Sequence, residues 1–159
     1  MRNHILCLVI GLAAGLTQAT AHGQKGSAMA KHASGTFDVK ITPQQDEGVG
    51  DATIGRMSID KQYHGELEGT GLGQMLAGMA SEVKDSGAYV ALERVRGTLH
   101  GRQGSFAVYH RGLMTRGAQD LVITVVPDSG TEELVGITGT MTIDIRDGKH
   151  FYGFDYSLP

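Results

Sequence analysis

Disulfide bonds and thiol chemistry are excluded by the scarcity of cysteine. The chain of 159 residues contains one cysteine, Cys7, which lies in an apolar run near the N-terminus. A single cysteine cannot form a bridge within the chain. The same run is predicted below to be removed as a signal peptide, so the folded domain has to be stabilised by packing alone.

Long apolar runs, excess positive charge and tryptophan are also missing. After the N-terminus no stretch of about 20 apolar residues occurs, which argues against a further membrane-spanning helix. The formal net charge is −3 and the arginines are dispersed, so a nucleic-acid surface is not expected. Tryptophan is absent, which suits a protein of many strands and tight turns. A small hydrophobic molecule and further copies of the chain are the partners that we expect.

Residues 1–21 have the three-part pattern of a secretory signal peptide. Arg2 supplies the cationic start, the apolar run follows from Ile5 to Leu16, and Ala19 to Ala21 end the segment with small residues. Cleavage after this segment predicts a secreted or periplasmic protein, and a retained membrane anchor is the alternative. The small, polar residues 22–34 predict a flexible lead-in.

Glycine is abundant, with 24 residues against three prolines, which suits many strands joined by tight turns. Regular structure is expected from Gly35, where apolar and polar residues begin to alternate in the manner of a half-buried strand. A turn at His64-Gly65 would place Lys61 opposite Glu68 as a surface ion pair. We predict one domain over residues 35–159.

Residues 87–114 predict two long β-strands that form a central hairpin. A loop closing between Gly101 and Gly104 keeps the apolar residues together, whereas a shift by one residue would move them to the opposite face. The inward face then consists of Tyr89, Ala91, Glu93, Val95, Leu99, Phe106, Val108 and His110. The outward face carries Arg94, Arg96, His100, Tyr109 and Arg111.

Two ionisable residues, Glu93 and His110, lie on this otherwise apolar inward face. In the predicted register Val95 is opposite His110, so Glu93 is the diagonal neighbour of His110, about 7–8 Å away between backbones. A buried charge is costly unless a partner compensates it, so the two side chains are expected to contact each other. A structural ion pair and a functional site are both consistent with this pattern.

A second hairpin ends the chain, and its turn is the clearest in the sequence. Asp147-Gly148 predicts a two-residue type I′ turn, which pairs Ile145 with His150, Ile143 with Tyr152 and Met141 with Phe154. Seven or eight strands joined by hairpin-sized turns predict an all-β fold, a closed antiparallel barrel of about eight strands. A barrel of this size holds packed side chains or one small ligand.

The apolar faces of the two hairpins are predicted to line a cavity for a small molecule. The predicted lining residues are Tyr89, Val95, Phe106, Val108, Ile143 and Phe154.

Three long segments, residues 59–76, 87–117 and 125–159, resemble the bacterial DUF3224 family of uncharacterised proteins. That family is grouped by fold with the allene oxide cyclase-like barrels, and GTEELVGITG at residues 130–139 is similar to the glycine-rich segment of allene oxide cyclases and dirigent proteins. The resemblance implies an eight-stranded barrel, often oligomeric, with a cavity along its axis. Activities in the wider group are metal-independent cyclisation or stereochemical guidance of small hydrophobic molecules. No catalytic residue of the allene oxide cyclases matches a position here.

A cofactor-independent cyclase or isomerase acting on a hydrophobic substrate is the function that the sequence favours. Glu93 would be the general acid or base, with its pKa raised by burial and lowered again by a protonated His110. Tyr152 would donate a hydrogen bond to a developing oxyanion, and Tyr89 and Tyr156 are further candidates. A catalytic Glu93 should be dispensable for folding and required for turnover.

Three other readings use the same barrel. A periplasmic carrier similar to lipocalins needs the cavity and no acid or base. A structural barrel would assemble through the arginine-rich outward face. A metal site is not expected, because His110 and Glu93 do not combine with His64, His100 or His150 in any ligand motif. No cofactor is predicted.

Overall fold

The structure, a computed structural model, describes residues 30–45, 53–79 and 82–159. The predicted signal peptide and most of the predicted lead-in lie outside these residues. Eight strands and one short 3₁₀ helix follow in order: β1 Lys31–Pro43, β2 Ile54–Gly65, β3 Leu67–Met79, β4 Gly87–Leu99, β5 Arg102–Thr115, β6 Ala118–Val125, the 3₁₀ helix Glu132–Leu134, β7 Thr138–Arg146 and β8 Lys149–Ser157.

Every strand pairs antiparallel with its neighbours in sequence, and β1 also pairs with β8, so the sheet closes into a barrel. The predicted closed antiparallel barrel is confirmed. Closure leaves no free sheet edge at β1 or β8, which is how small all-β domains avoid exposed strand edges. None of the helices within the described ranges is long and apolar enough to cross a membrane.

The central hairpin turns earlier than predicted. Leu99 pairs with Arg102, and the two turn residues His100 and Gly101 have φ angles of 47° and 80°. These positive φ values are those of a type I′ turn, which suits a tight hairpin. The predicted loop between Gly101 and Gly104 is therefore wrong. Because the correction shifts the register by an even number of residues, every side chain keeps its predicted face.

The last hairpin has the predicted register, with Asp147 and Gly148 at φ angles of 50° and 74° in the turn. One strand boundary and one residue pairing differ from the predictions. β1 begins at Lys31 rather than at Gly35, because residues 31–37 pair with β8. Lys61 is opposite Gly71 rather than Glu68, because the pairing of β2 with β3 ends at Tyr63 and Gly69 and not next to His64-Gly65.

One half of the barrel is filled by side chains. Phe154 stacks between Phe106 and Tyr156, with ring centroids 5.4 Å and 5.2 Å away. Leu134 on the 3₁₀ helix and Ile137 after it are buried over this end. We call this the filled half; it contains the β2–β3 and β4–β5 turns.

Candidate functional site

The opposite half of the barrel contains a cavity of about 590 Å³, and we call it the cavity half. Of the residues predicted to line a cavity, Tyr89 and Ile143 border this one. Four other predicted lining residues belong instead to the packed core of the filled half, where stacked aromatic rings leave no room for a ligand: Val95, Phe106, Val108 and Phe154.

The cavity reaches the gap between β6 and β7. These strands pair at two positions only, Ile123 with Met141 and Thr124 with Thr140. Beyond these pairs the strands separate, and Leu121 and Ile143 line the cavity from the two sides of the gap. A ligand in the cavity would therefore meet side chains from both strands.

Glu93 and His110 lie at the inner end of the cavity, between its apolar walls and the packed core. Their exposed fractions are 1% and 3%, and His110 Nε2 lies 3.1 Å from Glu93 Oε2. The contact between the two side chains is the one that the hairpin pattern predicted. The alignment is not that of a hydrogen bond, and Nε2 is buried without a hydrogen-bond partner.

Two further residues on β2 complete this cluster, and sequence reasoning missed both. Lys61 Nζ donates a hydrogen bond to Glu93 Oε2 at 2.7 Å, and Tyr63 Oη donates one to Glu93 Oε1 at 2.8 Å. The sequence did indicate that they face inward, because Ile59, Lys61 and Tyr63 alternate along one strand and so share a face. We call Lys61, Tyr63, Glu93 and His110 the buried cluster.

Electrostatics favour the ionised form of Glu93. Burial by itself raises the pKa of Glu93, but the adjacent His110 imidazole and Lys61 ammonium outweigh it and lower the pKa to about 2. Burial and the negative charge of Glu93 raise the pKa of Tyr63 well above its usual value, so its hydroxyl remains a donor. The predicted role of Glu93 as a general acid or base conflicts with this pKa, because a base needs a pKa near the working pH.

Tyr152, the third predicted catalytic residue, lies outside the cavity. Its hydroxyl accepts a hydrogen bond from the Leu67 N–H at 2.9 Å, and its ring meets Tyr63 edge-on with centroids 5.6 Å apart. Tyr156 is also in the filled half, where its hydroxyl lies 2.7 Å from His100 Nδ1. Among the predicted tyrosines, only Tyr89 borders the cavity.

The other histidines considered for a metal site are dispersed. His64 lies 3.2 Å from Asp38, and His100 lies 3.2 Å from Glu66, both on the outside of the barrel. His150 borders the cavity, with its ring centroid 5.0 Å from that of Phe37. In the part of the chain that the structure describes, no group of three or more His, Cys, Asp and Glu side chains could hold a metal ion.

Lys61 presents the cavity with a hydrogen-bond donor. An ammonium has three N–H groups. One N–H of Lys61 donates to Glu93 Oε2 at 2.7 Å, and a second donates to Tyr63 Oη at 3.2 Å. Its Nζ also lies 4.8 Å from the ring centroid of Phe37, and both residues line the cavity. The third donor of Lys61 is therefore available to an acceptor atom in the cavity.

Gly71 on β3 makes room for the Glu93 carboxylate, since a Cβ atom there would overlap Glu93 Oε1. We expect Gly71→Ala to lower the free energy of unfolding by about 1–3 kcal/mol, because the carboxylate or the strand must move. Gly55→Ala is the matched control: neither glycine has a positive φ, and the nearest atom to a Cβ at Gly55 is 3.8 Å away. Urea unfolding of both variants tests the prediction, and equal losses would contradict it.

Comparisons with known proteins agree on one family. The family model described as "Protein of unknown function (DUF3224)" matches residues 33–156. A solved structure from Shewanella oneidensis MR-1, described as a protein with unknown function from the DUF3224 family, is 46% identical and superposes with a TM-score of 0.76. The match covers 82% of this chain and 99% of that one. No curated protein matches the chain.

Proposed function

The chain belongs to the DUF3224 family, whose function is unknown, and from its buried cluster we propose that it binds a small, apolar, uncharged molecule through a carbonyl oxygen. The carbonyl would accept a hydrogen bond from Lys61. The observation that carries the proposal is the position of this ammonium, 5% exposed, at the inner end of an apolar cavity.

The cavity walls suit an apolar ligand. Ile41, Ile59, Met75, Leu121 and Ile143 are among the lining residues, and the volume of about 590 Å³ is typical of small-molecule sites. Apolar walls with a few convergent polar groups at one end orient a ligand as well as bind it. The body of the ligand would fill the cavity half, and its polar end would meet the buried cluster.

Charge balance favours an uncharged ligand. The Lys61 ammonium and the Glu93 carboxylate already compensate each other at 2.7 Å. A ligand carboxylate would add a buried negative charge without its own counter-ion, which is costly in a low-dielectric interior. A carbonyl oxygen satisfies the free donor of Lys61 and leaves the charge of the cluster unchanged.

A cyclase or isomerase is the second candidate, in a modified form. His110 replaces Glu93 as the proton acceptor, since His110 lines the cavity and contacts the Glu93 carboxylate at 3.1 Å. Glu93 would orient the ring, and Lys61 would stabilise an enolate oxygen. Exchange of the α-protons of a bound ketone in D₂O, lost in His110→Gln, would support this activity over simple binding.

The wider assignments from the sequence stand as proposals beside this one. A secreted or periplasmic location and the allene oxide cyclase-like grouping rest on sequence patterns alone. An oligomer is supported by the outer face of β3–β5, where Leu72, Leu76, Val90, Leu92 and Tyr109 are exposed. Native mass spectrometry of protein from its host's periplasm would give the subunit number and any retained ligand. Bare monomers would contradict both the oligomer and a retained ligand.

Filling the cavity should abolish binding. The test ligand is methyl nonanoate, an apolar ester with one carbonyl group. We expect Ile143→Trp to weaken its binding by at least about tenfold, because the indole would occupy the space between β6 and β7. Leu72→Trp is the control, since Leu72 is 59% exposed on the outer wall. Displacement of Nile red fluorescence from the purified protein measures both affinities. Equal affinities in the two variants would show that the ligand binds elsewhere.

The position of the carbonyl can be measured separately. The infrared stretching band of a ¹³C-labelled ester carbonyl shifts to lower wavenumber when the oxygen accepts a hydrogen bond. We expect bound methyl nonanoate to show this shift relative to the ester in hexane. An unshifted band would place the ester group away from Lys61.

A further inference from the structure

We propose that Lys61 forms a protonated imine with an apolar aldehyde or ketone, so that the barrel holds its ligand covalently. The proposal rests on the carbonyl-binding function above and names the ligand class more narrowly. Lysine is almost never fully buried unless it is paired. Lys61 is 5% exposed, is directed to the inner end of the cavity and has a carboxylate at 2.7 Å.

The counter-ion favours the imine. A protonated imine carries the same single positive charge as the ammonium that it replaces, and its N–H can donate to the same carboxylate. Glu93 Oε2 therefore stabilises the cation before and after the reaction, and the cluster gains no buried charge. An exposed lysine has no such fixed partner, so its imine is hydrolysed freely by water.

Proton transfer takes place through water that enters the cavity with the ligand. Lys61 Nζ lies 2.7 Å from Glu93 Oε2, and His110 Nε2 lies 3.1 Å from the same oxygen, so the carboxylate stays beside the reacting nitrogen throughout. The ammonium loses a proton to water, and the neutral amine attacks the carbonyl carbon to give a carbinolamine. The hydronium ion returns the proton to the carbinolamine hydroxyl, which leaves as water while the nitrogen lone pair forms the C=N bond. One ammonium and one carbonyl compound thus become one protonated imine and one water.

The enclosure of the cluster supports the same conclusion. The apolar walls hold the carbonyl carbon near Nζ and limit access of bulk water to the C=N bond. Phe37 at 4.8 Å from Nζ further stabilises the cation through its ring face. These features belong to Lys61 and are absent at Lys40, which is exposed on β1.

The experiment uses two probes of matched length. Nonanal can form an imine, whereas methyl nonanoate can accept a hydrogen bond but forms no imine. Purified protein is incubated with each probe and sodium cyanoborohydride, which reduces an imine to a stable amine. Peptide mass spectrometry then locates the adduct, and we expect the Lys61 peptide to carry at least about ten times the nonanal adduct of the Lys40 peptide.

Lys61→Arg is the matched variant, because arginine keeps a cation beside Glu93 and forms no imine under these conditions. We expect it to lose the nonanal adduct. The wild-type peptide map needs no variant, so the test holds even if the arginine protein is unstable. Nonanal and methyl nonanoate binding without an adduct at Lys61 would overturn the imine and leave the proposed function standing. Failure of both probes to bind would overturn both.

Discussion

Replacing Glu93 with glutamine is expected to lower the free energy of unfolding by about 3–5 kcal/mol. The change leaves the Lys61 ammonium buried without a counter-ion and weakens the acceptor of the Tyr63 hydroxyl, both of which now contact Glu93 at 2.7 Å and 2.8 Å. Urea unfolding measures the loss. The sequence-based expectation that Glu93 is dispensable for folding is therefore replaced by its opposite.

Two controls show whether the loss comes from unpaired buried charge. The triple variant Lys61→Met, Tyr63→Phe, Glu93→Leu removes the charges and the hydroxyl together, so its stability should lie within about 1–2 kcal/mol of the wild type. Asp120→Asn breaks an exposed ion pair with Arg111 at 3.1 Å and should cost less than about 1 kcal/mol. A triple variant as unstable as Glu93→Gln would show that the cluster stabilises the fold by packing, not by charge compensation.

Acid should destabilise the protein through Glu93 in a defined pH window. The folded state lowers the pKa of this carboxyl from its usual 4.5 to about 2. The unfolded state therefore binds the proton more readily, and the stabilisation is fully present above about pH 4.5. It is lost as the pH falls to about 2, and amounts to about 3 kcal/mol.

The triple variant isolates this contribution. Glu66 also has a lowered pKa, through hydrogen bonds with His100 and the Ser34 N–H, so the wild-type curve contains more than one group. The difference in unfolding free energy between wild type and triple variant, measured by urea at pH 5, 4, 3 and 2, should fall by about 3 kcal/mol across the series. A constant difference would show that Glu93 titrates normally in the folded protein.

Only part of the contact between Glu93 and His110 followed from the sequence, because parity places both side chains on the inward face whereas the register decides whether they are neighbours. Both residues lie on inward positions of their strands in any register that differs by an even number of residues, and they remain diagonal neighbours in the observed one. The exact register was not predictable to the same degree, since His100-Gly101 and the glycines after it both offer turn residues. Asp147-Gly148 has no such competitor, and its hairpin was predicted pair by pair.

The contacts of Lys61 and Tyr63 with Glu93 could not be predicted from each hairpin taken separately. They reach Glu93 from β2, and the register pairs Lys61 with Gly71 of β3, which pairs in turn with Val95 of β4. Glycine at that position leaves the space through which side chains of β2 and β4 meet. Such a contact across an intervening strand depends on the curvature of the closed sheet, and no local sequence pattern predicts that curvature.

The sequence alone determined the strand-rich class, the closed barrel, the inward and outward faces of its two main hairpins and the ionisable pair on an inward face. These features follow from a side-chain period of two and from turn residues, both of which are local. Only the tertiary structure decided which half of the barrel is filled, that Lys61 and Tyr63 join the cluster and that Glu93 is held as an anion. Those outcomes depend on volumes and charges that meet only after the sheet closes, because packing and desolvation act through space and not along the chain.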